Sequence, residues 1–309
     1  MSARLALTLL LGCTPHRNTA DPAETVAATT QPPAPPVAGP GPAPASLPSA
    51  APASTGGVLT GGPCEASALV RWEGGFLVGD NETSDRLFRY SDTFEPTGTL
   101  ALPEEVSDIE ALAVGEGGEL FVVGSHSRNK AGEEKKKRQR VLRLPDTLLS
   151  PDLSACHACA GVSGLRPDDG GLNIEGAFVR DGHLWVGLRS PLVEGRALLL
   201  DLGADGARVL AEQRIDLGGL GVRDLVMDGA DLLVLAGPIT DAAAAFRLYR
   251  VDRSGASERL EVELAASTEG LVLHEESLWY VTDGDGRDGD CAVPSSWGRL
   301  PKPDPGTTP

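Results

Sequence analysis

The sequence predicts an all-β fold, a β-propeller of about five four-stranded blades with six as the alternative count. Three observations predict it. The chain holds 309 residues and 38 glycines with only 4% aromatics, so a core must come from Leu, Val and Ala on short strands between glycine turns. One plan recurs five times after residue 57: an acid in a short apolar stretch, a turn, then a second apolar strand. Helical periodicity is nearly absent over the same region.

The five copies start at Cys64 (C-E-A-S-A-L-V-R-W), Asp108 (D-I-E-A-L-A-V), Asn173 (N-I-E-G-A-F-V-R), Val222 (V-R-D-L-V-M-D) and Thr268 (T-E-G-L-V-L-H). Aligned on their acids, Glu65, Glu110, Glu175, Asp224 and Glu269, they step by 45, 65, 49 and 45 residues. Forty to fifty residues is the length of a propeller blade. The long step reads as one blade with an insertion around Leu148 to Pro167. Third strands are expected at Arg86 to Tyr90, Arg140 to Leu144, Ala197 to Asp201 and Phe246 to Val251.

The last copy is short, with only Ser295 to Leu300 left to extend its sheet. The stretch Gly57 to Thr60 is the natural donor of the missing outer strand, which would join the two ends in one blade and remove an unpaired edge. Cys64 and Cys291 flank that seam and are expected to form a disulfide. On the chain-entropy model such a closure stabilises by about 4 to 5 kcal/mol.

The first fifth differs in kind. Residues 1–12 read as a signal peptide: Arg4 precedes the apolar run Leu5 to Leu11, too short to span a bilayer. Leu10-Leu11-Gly12-Cys13 resembles a bacterial lipobox, which implies lipidation at Cys13. Residues 13–57 are rich in Pro, Ala, Ser and Thr and read as a disordered tether, which at ~3.1 Å per residue reaches at most roughly 130 Å. The propeller is expected over 58–301, with 302–309 a disordered tail. The expected address is therefore exported, periplasmic or cell-surface, with the membrane as a partner through the anchor. Disulfides fit such a compartment.

The formal charge of −17 argues against nucleic acid as a partner, because phosphate neutralisation needs the opposite sign of field. The basic run Lys135 to Arg140 follows Glu133-Glu134 and reads as a solvated loop. A monomer is expected.

In a propeller the inner strands surround one axis, so the repeated acids should converge there. Carboxylates ~8 Å apart repel by about 2 kcal/mol per pair at an effective dielectric of 20. They therefore need cations, protons or a ligand. Arg189 and Arg223 are the nearest cations in sequence, together with the run Ser125-His126-Ser127-Arg128-Asn129-Lys130. The candidate ligand set is Glu65, Glu110, His126, Arg128, Asn129, Lys130, Glu175, Arg189, Arg223, Asp224 and Glu269, recognising a small polar or anionic molecule at the channel mouth. Should the site be catalytic, His126 and Glu175 are the candidate proton-transfer groups. No G-x-S-x-G nucleophile signature accompanies them.

Asp283, Asp285, Asp288 and Asp290, separated by glycines and Arg287, offer carboxylates to a hard cation, so calcium is the one candidate cofactor. The run departs from the EF-hand pattern, because Arg287 stands at its fifth position and no glutamate closes it. Cys156-His157-Ala158-Cys159 has C-x-x-C spacing without a second pair, and a local disulfide stapling the insertion is expected.

With these residues placed, the chain resembles the bacterial propeller family called domain of unknown function 3616. The resemblance spans roughly Cys64 to Gly289 and rests on D-I-E-A-L with G-S-H-S-R-N-K, G-G-L-N-I-E-G-A, L-R-S-P-L-V-E-G-R-A-L-L, D-L-G-G-L-G-V-R-D, L-A-G-P, and T-E-G-L with T-D-G-D. It implies a propeller and no assigned activity. The E-G-L and I-E-G phrases are also similar to those of exported phytase-like and esterase-like propellers, which implies calcium and ester or phosphoester hydrolysis as an alternative. A cell-envelope scaffold is the third reading.

Overall fold

Alternating apolar residues on short strands joined by tight turns make hairpins, and consecutive hairpins make the sheets here. The computed structural model describes residues 55–240, 246–287 and 290–304. Strand β1 is Thr55–Val58. Blade 1 follows with β2 (Ala66–Trp72), β3 (Gly75–Asp80), β4 (Arg86–Tyr90) and β5 (Pro96–Ala101). Blade 2 is β6 (Ile109–Val114), β7 (Leu120–Gly124), β8 (Val141–Arg143) and β9 (Thr147–Leu149), and blade 3 is β10 (Asn173–Arg180), β11 (His183–Ser190), β12 (Ala197–Asp201) and β13 (Ala211–Ile215). Blade 4 is β14 (Gly221–Asp228), β15 (Asp231–Gly237), β16 (Arg247–Val251) and β17 (Ser257–Leu260). Blade 5 holds β18 (Thr268–His274) and β19 (Ser277–Thr282), a hairpin of β20 (Asp285–Arg287) and β21 (Asp290–Val293), and β22 (Ser296–Pro301).

The result is a five-bladed propeller of four-stranded antiparallel sheets. Blade 5 has the order β1-β22-β19-β18, so the first described strand completes the last sheet, with Thr55 opposite Arg299 and Val58 opposite Ser296. Around the seam, Leu59 N–H donates to the Ser295 carbonyl at 2.8 Å, and Ser295 Oγ accepts from Ala66 N–H at 2.9 Å. Cys64 and Cys291 are joined there with Cα atoms 5.1 Å apart.

The core is five separate apolar clusters, one at each junction between neighbouring blades. Period two explains how one strand serves two of them. On β3, Phe76 and Val78 enter the cluster shared with blade 5, while Leu77 enters the one shared with blade 2. The inner strands are buried on both faces, so they read as continuous apolar runs. The scarce aromatics concentrate at the seam, where Phe94 stacks on Trp297 at 4.9 Å and on Trp279 at 5.5 Å, with Phe76 at 4.6 Å.

Some expected boundaries move. Strand β1 begins at Thr55, inside the segment expected to be tether. The tail is tied down at its described end: Lys302 N–H donates to the Glu276 carbonyl at 3.0 Å, and Arg250 donates to the Pro303 carbonyl at 3.1 Å. Blade 2 is complete by Leu149, so the insertion lies in the connection to blade 3, as helix α1 (His157–Val162) and a short 3-10 turn at Pro167–Asp169. Residues 1–54, including Cys13 and the signal segment, lie outside the described residues. No helix among the described residues is long and apolar enough to cross a membrane.

Candidate functional site

Every inner strand carries a bulge at the same place. The register skips Ser67 in β2, Glu110 in β6, Glu175 in β10, Arg223 in β14 and Glu269 in β18. A bulged residue has no cross-strand partner and is re-aimed by the kink. In this chain three of the five, Glu175, Arg223 and Glu269, are joined across blades by ion pairs, and Glu110 lies within electrostatic range of them.

Glu175 is the hub. One carboxylate oxygen accepts from Asn173 Nδ2 at 2.6 Å and Arg189 Nη1 at 3.1 Å, and the other accepts from Arg223 Nη1. Arg223 Nη2 lies 3.4 Å from Glu269 Oε1. Its guanidinium also sits 5.3 Å from the Phe246 ring centroid. Burial opposes the Arg223 charge, but Glu175 and Glu269 outweigh it and hold its pKa above the ordinary value. Arg189 Nε donates to the Pro238 carbonyl at 3.2 Å.

The acids are served unequally. Glu110 makes no hydrogen bond or salt bridge to any described residue, and burial, then Asp108, Glu175 and Glu269, push its carboxyl well above the usual range. Burial also raises Glu269 to about 8, against the pull of Arg223. Asp283, just after β19, is raised to about 7 by burial and by Glu65, and its Oδ1 is buried without a hydrogen-bond partner. Asp108 is raised by burial although Arg138 lies 2.7 Å from its Oδ2.

Two aligned acids of the sequence, Glu65 and Asp224, are not the bulged residues of their strands. The bulge in β14 exposes Arg223 to the axis and turns Asp224 toward blade 5, where Oδ2 accepts from Leu271 N–H at 2.5 Å and Oδ1 from Leu225 N–H at 2.7 Å. In β2 the bulged residue is Ser67, whose hydroxyl donates to the Ile109 carbonyl of blade 2. Glu65 lies two residues before it, with its N–H on Asp80 Oδ2 at 3.0 Å. The ring therefore carries three carboxylates, one guanidinium and one hydroxyl in place of five carboxylates. Sequence spacing could not separate Arg223 from Asp224, because a bulge shifts facing by one residue without changing repeat length.

The run after β7 divides. Ser125 Oγ and Ser127 Oγ are 2.8 Å apart beside Asp108. His126 is buried, with Nδ1 2.9 Å from the Gly124 carbonyl, and burial lowers its pKa to about 4. Arg128 Nε donates to the Ser163 carbonyl at 2.7 Å, Asn129 caps its own loop through Glu133, and Lys130 is exposed. None of the three bonds a ring residue.

Among the described residues no three His, Cys, Asp or Glu come together as a metal site. Asp288 as a whole, and the side chains of Asp285 and Asp290, lie outside what is described. Cys156 and Cys159 are disulfide-bonded at the start of α1 and fully buried.

Among curated proteins none matches the chain at a significant level. Similar solved structures include virginiamycin B lyase from Staphylococcus aureus, at 12% identity and TM-score 0.39 over 76% of this chain and 65% of that one. A streptogramin B lyase matches at 14% and 0.39, covering 82% of this chain and 74% of that one. A glucose dehydrogenase matches at 15% and 0.41, covering 80% and 99%. No activity is carried over from them. The family comparison is narrower than the sequence resemblance and holds Glu175, Arg189, Arg223 and Glu269 but not Glu110: residues 148–288 match the model of the protein of unknown function DUF3616.

Proposed function

We infer that this chain is a binding module that holds a small polar ligand in the channel of its propeller, and that the ligand presents an ammonium or guanidinium group to Glu110 and Glu269. One observation carries the reading: Glu175 pairs with both arginines and Arg223 reaches on to Glu269, while Glu110 makes no hydrogen bond or salt bridge to a described residue. A partly buried carboxylate that faces Asp108, Glu175 and Glu269 without an ion pair of its own is favoured by taking a proton or a cation. A bound cation would satisfy it. An anion at the same place would meet Glu110 and Glu269 before any free guanidinium.

The hydrolase alternative needs a base, and the two candidates are poorly prepared. Both oxygens of Glu175 are already occupied by hydrogen bonds from Asn173, Arg189 and Arg223, which leaves it badly placed to take a substrate proton. His126 is held neutral and is a weak base at pH 7. The scaffold alternative gives Glu175 and Glu269 a task in joining blades through Arg223 but leaves Glu110 without one.

Calorimetry with putrescine and inorganic phosphate as probes tests the reading. Putrescine binding that strengthens from pH 6 to 9, as Glu269 loses its proton, and that drops at least tenfold in Glu110→Gln supports it. Phosphate binding that depends on Arg223, or turnover of p-nitrophenyl phosphate lost in Glu175→Gln, overturns it. The exported, membrane-tethered address rests on the Cys13 motif and on the disulfides. Palmitate labelling of the expressed protein that persists in Cys13→Ser would refute it.

A further inference from the structure

A second candidate site lies away from the ring. A cavity of about 370 Å3 separates the loop after β7 from the insertion that carries α1, and none of the ring residues lines it. That volume falls within the roughly 300–1,000 Å3 of small-molecule clefts. Leu153, Cys159, Leu165 and Leu172 give it an apolar wall.

His126 lines it and carries an unpartnered polar atom. The residue is 6% exposed, and Nε2 is buried with no hydrogen-bond partner among the described residues. The Gly124 carbonyl can only accept, so Nδ1 carries the proton and Nε2 is left as a bare acceptor. The backbone here is strained as well, with φ +57° at a residue that is not glycine. Its N–H donates to the Arg138 carbonyl at 2.9 Å, which helps to hold that conformation. An unmade hydrogen bond and a strained backbone at one residue, beside a cavity, point to a ligand that uses the acceptor.

The neighbours define its charge. Arg128 is spent on structure, with Nε on the Ser163 carbonyl and Nη1 on the Gly132 carbonyl at 3.0 Å, bracing the loop against the insertion. Glu134, 4.0 Å from Arg128, balances what remains. An anion would face the imidazole lone pair and Glu134, and a cation would face Arg128 and an apolar wall. We propose that this cavity binds a small neutral molecule with an apolar body and one hydroxyl or N–H group that donates to His126 Nε2, a phenol in the simplest case.

The test compares p-cresol with 4-methylanisole, which has the same body without the donor, by titration into the full chain followed through the His126 imidazole 15N resonances. The expected result is p-cresol binding at least tenfold tighter than 4-methylanisole, with the Nε2 resonance moving for p-cresol alone. His126→Phe should reduce p-cresol to the level of the anisole. Ala160→Trp, which fills the cavity from an exposed wall and leaves His126 in place, should abolish both and serves where the histidine variant fails to fold. Equal affinity for the two probes, unchanged p-cresol binding in either folded variant, or no saturable p-cresol binding at millimolar concentration overturns the proposal.

Discussion

Arg223 and Glu175 occupy the same position in neighbouring blades, the bulged residue of β14 and of β10, and their side chains meet as a buried ion pair at the axis. Equivalent positions of a repeat thus hold opposite charges, which converts the repulsion of a carboxylate ring into a bond between blades. Removing one partner of a buried pair typically costs about 3–5 kcal/mol, because the other charge stays desolvated. Arg223→Gln should therefore lower the urea-unfolding free energy by about that much at pH 8. The loss should shrink at pH 5, where Glu269 is protonated. The double variant with Glu175→Gln should cost less than the two single losses added together.

Stability should fall as pH rises through neutrality. Glu269 titrates near 8 and Asp283 near 7 in the folded chain, both well above ordinary carboxyls, chiefly through burial. Between an unfolded pKa near 4 and these values the folded state binds more protons than the unfolded state. Their contribution is thus complete below about pH 4 and is lost as pH climbs to about 8. Each group can contribute a slope of up to about 1.4 kcal/mol per pH unit. Denaturant melts at pH 6, 7 and 8 should show the decline, and Glu269→Gln should flatten it. A wild-type profile that rises over this interval refutes the assignment.

The two disulfides should differ in weight. Cys64–Cys291 closes a separation of 227 residues and Cys156–Cys159 one of 3. On the chain-entropy model these give about 5 and about 2 kcal/mol. Cys64→Ser with Cys291→Ser should lower the thermal midpoint more than Cys156→Ser with Cys159→Ser. Combined with Trp297→Ala, which removes the stack on Phe94, it should open blade 5 and raise amide exchange selectively in β1 and β22.

How far the sequence revealed this architecture depended on burial. Strands β3, β7, β11, β15 and β19 are apolar runs next to turns and were legible, as was closure by the two ends. The outer strands β5, β13 and β17 were not, because Pro-Thr-Gly-Thr-Leu-Ala, Ala-Glu-Gln-Arg-Ile and Ser-Glu-Arg-Leu are mostly exposed and polar and carry little periodic signal. The ring was legible where a bulged acid precedes a small residue. At Glu175-Gly176 the reason is steric, since a Cβ on Gly176 would lie 2.8 Å from Leu225 Cγ. Blade 4 replaces that pair with Arg223-Asp224, so the nearest acid by spacing was the wrong neighbour. The bare Nε2 of His126 left no trace in the sequence, because it depends on the carbonyl that its other nitrogen meets.

Asp224 offers a separation of fold from site. Its carboxylate accepts two backbone N–H groups, one within β14 and one from Leu271 on the next blade, and touches no ring side chain. Burial pushes its pKa well above the usual range despite those bonds. Asp224→Ala would leave two buried donors unsatisfied, and each such loss costs about 1–3 kcal/mol. Asp224→Asn keeps one acceptor oxygen and should cost less. Both folded variants should bind putrescine with wild-type affinity, because the ring acids Glu110 and Glu269 are untouched. Should Asp224→Asn weaken putrescine as strongly as Glu110→Gln while preserving the thermal midpoint, the carboxylate belongs to the ligand site and the bulge is the wrong guide to which residues face the axis.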